Sequence, residues 1–127
     1  MKKKSVKSLH RKAWNLAREI IIKRDKGKCV LCKEKGSDVD HLFSRRNKTI
    51  FYNISNLSLL CKGCHFSKTY GQGTVSYDLF KLVESREKEK FNYLLKESSN
   101  KTIPFRDFNK VWWLDEIIES LQKQLTD

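Results

Sequence analysis

The first 28 residues carry apolar side chains at steps of three and four positions. A repeat of this kind places the apolar side chains on one face of a helix, and we expect that face to pack against the rest of the fold. Ser5 or Ser8 can cap its first turn, and Gly27 can end it. The apolar positions are Leu9, Ala13, Trp14, Leu16, Ala17, Ile20, Ile21 and Ile22.

The pattern changes in the middle of the chain. Residues 39–43 and 57–60 read as two short strands, and residues 64–69 as a short helix after them. Side chains alternate between the two faces of a regular strand, so Asp40 and His41 would point to opposite faces.

Helical periodicity returns in three stretches of the second half. Ser76 can cap the first, residues 91–95 lie in the second, and the third is expected at about 106–125. Residues 98–104 predict a linker. Two heptads are short for a coiled coil, so the apolar side of the last helix favours core packing over a partner helix. That side carries Val111, Leu114, Ile118, Leu121 and Leu125.

Helices on both sides of a two-strand segment predict an α+β fold. We expect a basic arm and N-terminal helix at 1–28, a core at 29–70 and a helical extension at 71–127, joined in one compact domain. Apolar residues make up 39% of the 127-residue chain, which is lean for a core of that size. A further source of stability is therefore expected.

Four cysteines can supply that stability. They form two Cys-x-x-Cys pairs, Cys29 with Cys32 and Cys61 with Cys64, and such pairs can present four sulfurs to one tetrahedral zinc ion. Two disulfides are the alternative. No apolar segment follows the first lysines, so no signal peptide is expected, and a reducing, cytoplasmic compartment favours zinc.

The net charge of +12 is unevenly distributed. Residues 1–28 sum to +9 and residues 44–68 to +5, while the rest of the chain is nearly balanced. Such a bias predicts binding to a polyanion through phosphates, with a merely solvated basic surface as the alternative. No apolar stretch approaches the roughly 20 residues of a membrane span, so no membrane association is expected.

The residues between and after the cysteine pairs carry a family resemblance. Asp38-Val39-Asp40-His41-Leu42, the run from Asn56 to Cys61, and Cys64-His65 with Lys68 resemble the HNH endonuclease family. The resemblance covers about residues 29–69. It implies a ββα-metal fold, a β-hairpin and short helix around one divalent ion, here clipped by the four-cysteine zinc site.

The resemblance also implies roles for individual residues. Asp40 and His65 would hold a catalytic Mg²⁺, Mn²⁺ or Ni²⁺ ion, and His41 would be the general base. An irregular hairpin would turn Asp40 toward the ion. Asn56 would tie the loop that orients His41. DNA contacts are expected from basic side chains in both charged segments, namely Lys2, Lys3, Lys4, Lys7, Arg11, Lys12, Arg45, Arg46 and Lys68.

A longer, looser match is similar to the phage NinG recombination proteins. It includes residues 13–25, His41 with Arg45, and Gly71 and Gly73 with Tyr77, but departs at His65, where asparagine is expected. The function favoured by the sequence is a metal-dependent DNA endonuclease or nickase in a bacterial or phage-infected cell. The alternative is a zinc-stabilised DNA-binding or recombination-accessory module without cleavage activity. Monomer and homodimer remain equally open.

Overall fold

A computed structural model describes residues 5–99 and 107–126 of the chain. A two-stranded antiparallel sheet lies among helices, which confirms the α+β class. The elements are α1 (Val6–Arg24), β1 (Asp38–His41), β2 (Leu57–Leu60), α2 (Lys62–Thr69), α3 (Val75–Arg86), α4 (Lys88–Ser98) and α5 (Val111–Thr126), with 3₁₀ turns at Lys48–Ile50 and Ile54–Asn56. None of the described helices is long and apolar enough to cross a bilayer.

Helix α1 forms as its apolar repeat predicts. Ser5 is the N-cap, and its side chain accepts a hydrogen bond from the Ser8 backbone N–H at 3.1 Å. The apolar face packs on β2 and on α5 in the larger of two hydrophobic clusters. The fully or nearly buried residues of α1 are Leu9, Ala13, Ala17, Ile20 and Ile21. Lys2, Lys3 and Lys4 lie outside the described residues.

Helix α5 packs along α1 through Leu114, Ile118 and Leu121, as the core interpretation of its repeat expected. It begins at Val111, five residues later than predicted, because residues 107–109 form a turn instead. Val111 is consequently 38% exposed and leaves the buried stripe. The linker was predicted at residues 98–104, but Ser98 is the last residue of α4. Residues 100–104 lie outside the described part of the chain.

The end of α1 is tied to β2 by a polar network. Arg24 donates to the Leu57 carbonyl at 2.6 Å and to the Ile54 carbonyl at 2.9 Å. The buried Asp25 carboxylate accepts from Arg24 at 2.9 Å and from the Leu59 backbone N–H at 3.0 Å. A buried charge is tolerated only when it is paired and hydrogen-bonded, so this network fixes where α1 meets the sheet.

A second hydrophobic cluster joins the cysteine knuckles to the C-terminal helices. Cys29, Val30 and Leu60 pack with Leu79 and Val83 of α3 and with Phe91 of α4. The two knuckles therefore lie between the sheet and the α3–α4 pair. Through this contact the C-terminal helices support the segment that carries the cysteines.

Candidate active site

The first knuckle is a backbone loop closed on itself. The Cys29 N–H donates to the Glu34 carbonyl at 2.7 Å, and the Lys33 N–H donates back to the Cys29 carbonyl at 3.0 Å. Gly36 brings this loop against β2, because a side-chain Cβ there would lie only 2.4 Å from Leu59 Cγ. The contact fixes the first cysteine pair beside the sheet.

The second knuckle begins α2. Cys61 is the N-cap of the helix, and its Sγ accepts a hydrogen bond from the Cys64 backbone N–H at 3.3 Å. All four cysteine Sγ atoms lie within 4.8 Å of one another, and those of Cys32 and Cys61 are 3.5 Å apart. Zinc–sulfur bonds of about 2.3 Å in a tetrahedron place sulfurs roughly 3.8 Å apart. The four cysteines form a zinc-type site.

The thiols of this cluster differ in acidity. Burial acts to raise the pKa of Cys29, but hydrogen bonds to the backbone of Cys32, Cys61 and Leu31 outweigh it and lower that pKa to about 7. Burial raises the pKa of Cys64, and the neighbouring sulfurs raise it further. Crowded thiols that resist ionisation together are favourable ligands, since a dication offsets the repulsion among thiolates.

The hairpin places two carboxylates beside α2. Strand β1 pairs antiparallel with β2, with Asp38 opposite Leu60 and Asp40 opposite Ser58. Asp38 and Asp40 alternate with Val39 and therefore share one face of the strand. That face meets His65, whose Nδ1 lies 2.8 Å from Asp38 Oδ2 and whose Nε2 lies 3.5 Å from Asp40 Oδ1. Asp40 reaches α2 by ordinary strand alternation, so the irregular hairpin expected from the resemblance is not needed.

Lys68 completes this cluster one helical turn after His65. Its Nζ lies 3.0 Å from Asp40 Oδ2 and donates to the His41 carbonyl at 3.1 Å. Asp40 Oδ2 is buried and, despite the nearby ammonium, makes no hydrogen bond of proper geometry. His65 is 37% exposed, so the cluster opens to solvent on the helix side.

His41 lies on the opposite face of β1, toward α1. Its ring stacks on Trp14 with centroids 5.4 Å apart and contacts Phe51 at 4.6 Å. Nε2 lies 3.0 Å from the Phe51 carbonyl oxygen and therefore carries the proton. Burial lowers the pKa of His41 below its ordinary value of 6.5, although the Phe51 carbonyl and Asp40 act in the other direction. A neutral imidazole with a free Nδ1 lone pair results.

Asn56 is fully buried and closes the loop between the strands. Its Oδ1 accepts from the Phe43 N–H at 2.8 Å, and its Nδ2 donates to the carbonyls of Phe43 and Ile50 at 3.3 and 3.4 Å. The backbone of Asn56 also marks the end of β1, because the Leu42 N–H donates to the Asn56 carbonyl at 2.8 Å. The amide thus holds the segment that follows His41 against β2.

A relative in Lactococcus phage SK1, named Probable HNH endonuclease, is 37% identical to the chain over 68 residues. The alignment covers 47% of this chain and 72% of that protein. The chain belongs to the HNH endonuclease family. No sequence profile of a known family matches it, and no solved structure matches it.

Within this HNH chain, the structure brings together some of the predicted residues and not others. Asp40, His65 and Lys68 form one cluster, and the four cysteines form another. His41 shares its strand with Asp40 but faces α1. Arg45 and Arg46 are exposed in the loop, and Lys7, Arg11 and Lys12 are exposed on α1.

Two groups of contacts were not assigned by sequence reasoning. Asp38 contacts His65 more closely than Asp40 does, and the hydrogen bond from His65 is the main reason why the pKa of Asp38 is lowered. The aromatic surroundings of His41 come from Trp14, which was assigned only to the apolar face of the first helix, and from Phe51, which lies in the loop between the strands. The sequence did contain a signal for the contact of Asp38 with His65. Asp38 and Asp40 are two residues apart and so share one face of a strand.

Metal analysis of the purified protein should find close to one zinc per chain. Cys61→Ser should lower both zinc content and the free energy of unfolding, because it removes a zinc ligand, whereas serine can still cap α2. Zinc content is measured by elemental analysis and stability by thermal unfolding.

The N-cap of α3 is Thr74 and not Ser76 as predicted, so Ser76 is an exposed position inside the helix. Ser76→Ala provides the control and should leave both quantities unchanged. A zinc-free protein that unfolds cooperatively at the wild-type temperature would contradict the zinc assignment.

Proposed function

We propose that this chain is a divalent-metal-dependent DNA endonuclease or nickase that hydrolyses phosphodiester bonds. The supporting observation is that Asp40 Oδ1 and His65 Nε2 converge at 3.5 Å on the face of β1 that meets α2, while His41, on the opposite face, keeps one nitrogen free to accept a proton. Membership of the HNH family gives this cluster its chemical context.

Asp40 and His65 would hold the catalytic ion. Cis ligands of an octahedral ion with bonds near 2.1 Å are about 3 Å apart, close to the separation of these two donor atoms. The Lys68 ammonium lies 3.0 Å from Asp40 Oδ2, so Oδ1, which faces His65, would be the oxygen that contacts the ion. When bound, the ion neutralises phosphate charge and stabilises the leaving oxygen. One carboxylate and one imidazole suit Mg²⁺, Mn²⁺ or Ni²⁺.

Asp38 would position His65. A carboxylate that accepts from Nδ1–H fixes the tautomer and directs the lone pair of Nε2 outward. Nε2 is the nitrogen that approaches Asp40, so the ring is already oriented for a shared ion. Asp38 is a positioning residue in this proposal, because its contact is with the far side of the imidazole.

His41 would act as the general base. The Phe51 carbonyl holds Nε2–H, so Nδ1 is left to take a proton from the attacking water. Burial against Trp14 and Phe51 keeps the ring neutral and fixed. Lys68 and Asn56 would hold the backbone that follows the base, the first through the His41 carbonyl and the second through the Phe43 N–H.

The proposed DNA contacts use the basic segments. Arg45 and Arg46 are exposed in the loop that follows His41, where a phosphate beside the base would lie within their reach. Lys7, Arg11 and Lys12 extend the basic surface along α1. Lys68 is half-buried on Asp40, so its first role is to neutralise that carboxylate.

The metal ligands and the base should respond differently to substitution. His41→Ala should retain zinc, fold and DNA affinity while lowering the cleavage rate about 10² to 10⁴-fold, the usual contribution of a general base. Asp40→Ala and His65→Ala should weaken binding of the catalytic ion, so high Mn²⁺ should restore part of their activity. Cleavage of supercoiled plasmid over a metal series measures both effects.

Ser76→Ala is again the matched surface control, since Ser76 is exposed on α3. Rescue of His41→Ala by Mn²⁺ would contradict the assignment of base and ligand. Wild-type rates in all three variants would instead favour a DNA-binding module without cleavage activity.

Asp38 should affect metal affinity through His65. Asp38→Ala should weaken Mn²⁺ binding about 10- to 100-fold, and Asp38→Asn should weaken it less because the amide oxygen can still accept from Nδ1–H. Calorimetric titration of Mn²⁺ into the zinc-loaded protein measures the affinity directly.

The control is Lys62→Ala. The ammonium of Lys62 lies 3.7 Å from Asp38, but this side chain is 84% exposed. If Asn were as damaging as Ala, Asp38 would be a direct ligand that acts through its charge.

Neutral substitutions at Lys7, Arg11 and Lys12 should flatten the salt dependence of DNA binding. Each phosphate contact contributes about 0.9 to the slope of log affinity against log salt on duplex DNA, so replacing all three by glutamine should reduce the slope by up to about 3. Fluorescence anisotropy at several salt concentrations measures it.

The matched control replaces three exposed lysines outside the basic segments, Lys88, Lys96 and Lys110, by glutamine. An equal loss of slope in both triple variants would mean that α1 has no special place in the DNA interface.

A further inference from the structure

Helix α2 carries a pair of aromatic side chains that the proposed chemistry does not use. Phe66 is 54% exposed and Tyr70 is 67% exposed, and their ring centroids are 4.5 Å apart. They lie four residues apart on a helix and so occupy one side of it. His65 and Lys68, which meet the carboxylates of β1, belong to the neighbouring side of the same helix.

The aromatic surface continues beyond the helix. Gly71 and Gly73 adopt positive φ angles of 63° and 61° and turn the chain into α3. Tyr77 in the first turn of α3 is 62% exposed, and Lys81 Nζ lies 5.6 Å from the centroid of its ring. Among the described residues, three of the five exposed aromatic side chains therefore fall within 12 positions after the proposed metal ligand.

Positive charge accompanies these rings. Lys62 precedes Phe66 by four residues, and Tyr70, the C-cap of α2, follows Phe66 by four, so the three residues form one line along the helix. The Lys62 side chain is 84% exposed. No acidic residue occurs between positions 62 and 77, and Asp78, which follows, accepts a hydrogen bond from the Thr74 hydroxyl at 2.8 Å. The ammonium groups of Lys62 and Lys81 lie 3.7 Å from Asp38 and 3.6 Å from Glu84, but both side chains remain largely exposed. Exposed rings accompanied by exposed ammonium groups match a partner with flat π faces and phosphates.

We infer that the line Lys62, Phe66 and Tyr70 is a stacking platform for unpaired DNA bases next to the cleaved phosphodiester. The inference rests on the proposed nuclease function and narrows its substrate to DNA with a single-stranded or branched segment. Bases inside a duplex have both faces covered by their neighbours, so exposed rings gain stacking energy only from bases outside the stack. Lys62 would contact the phosphate between such bases.

The position of the platform explains why it would matter for cleavage. Phe66 directly follows His65 in the sequence. A base stacked on the Phe66 ring would therefore place its nucleotide next to the proposed metal ligand. A strand bound there would be positioned by stacking on one side of α2 and by the ion on the neighbouring side. The aromatic pair would therefore select the structure of the substrate, while the metal site acts on any phosphodiester.

The test compares two oligonucleotides of one sequence, a full duplex and a duplex with three unpaired nucleotides. The unpaired segment carries 2-aminopurine, whose emission changes when it stacks on an aromatic ring. Binding is measured without added Mg²⁺, so the result does not depend on cleavage. Wild type should prefer the unpaired substrate, and Phe66→Ala/Tyr70→Ala should reduce that preference about 5- to 150-fold and remove the emission change.

Tyr93→Ala is the matched control, because Tyr93 is an aromatic residue 47% exposed on α4. It should keep both the preference and the emission change. Equal loss of affinity for both oligonucleotides, or no loss for either, would overturn the platform. A protein that never cleaves DNA but shows the predicted loss of preference would contradict the nuclease proposal and leave base stacking on α2 established.

Discussion

The closure of four sulfur atoms around one point is the constraint on which the rest of the structure depends. The first pair lies in a loop held by Glu34 and Lys33, and the second pair begins α2. These segments are separated by 28 residues of loop and hairpin, and a shared zinc ion would hold them together where a core this small would not. Because Cys61 caps α2, the position of the zinc site also determines where His65 lies.

The hairpin then places the side chains of the site on two different faces of β1. Strand alternation sends Asp38 and Asp40 toward α2 and His41 toward α1. Adjacent residues in the chain therefore receive different surroundings, a polar and partly open one for the carboxylates and an aromatic, buried one for the imidazole. The separation has an electrostatic benefit, because the proposed base stays neutral although a carboxylate is its neighbour in sequence.

Helix α1 contributes to the site as well as to the core. Trp14 stacks on His41, and Arg24 at the other end of the helix bonds the carbonyls of Ile54 and Leu57 around Asn56. Both ends of the segment that holds the proposed base are thus supported by one helix. Its remaining exposed side carries Lys7, Arg11 and Lys12, which links the support of the site to the proposed DNA surface.

The sequence by itself determined the class of fold, the zinc ligands and the family, because these depend on local spacing. Cys-x-x-Cys pairs, an apolar repeat and an Asp-His dipeptide are short patterns, and they can be recognised without knowledge of the tertiary structure. The start of α5 was wrong by five residues, since the turn at 107–109 has no strong local signal. Only the tertiary structure decided which atoms meet: that Asp38 holds His65, that the Phe51 carbonyl leaves Nδ1 of His41 free, and that Phe66 and Tyr70 stay exposed. The physical reason is that these contacts join α2, the loop and α1 across the hairpin, and the orientation of side chains on different elements is set by how those elements pack.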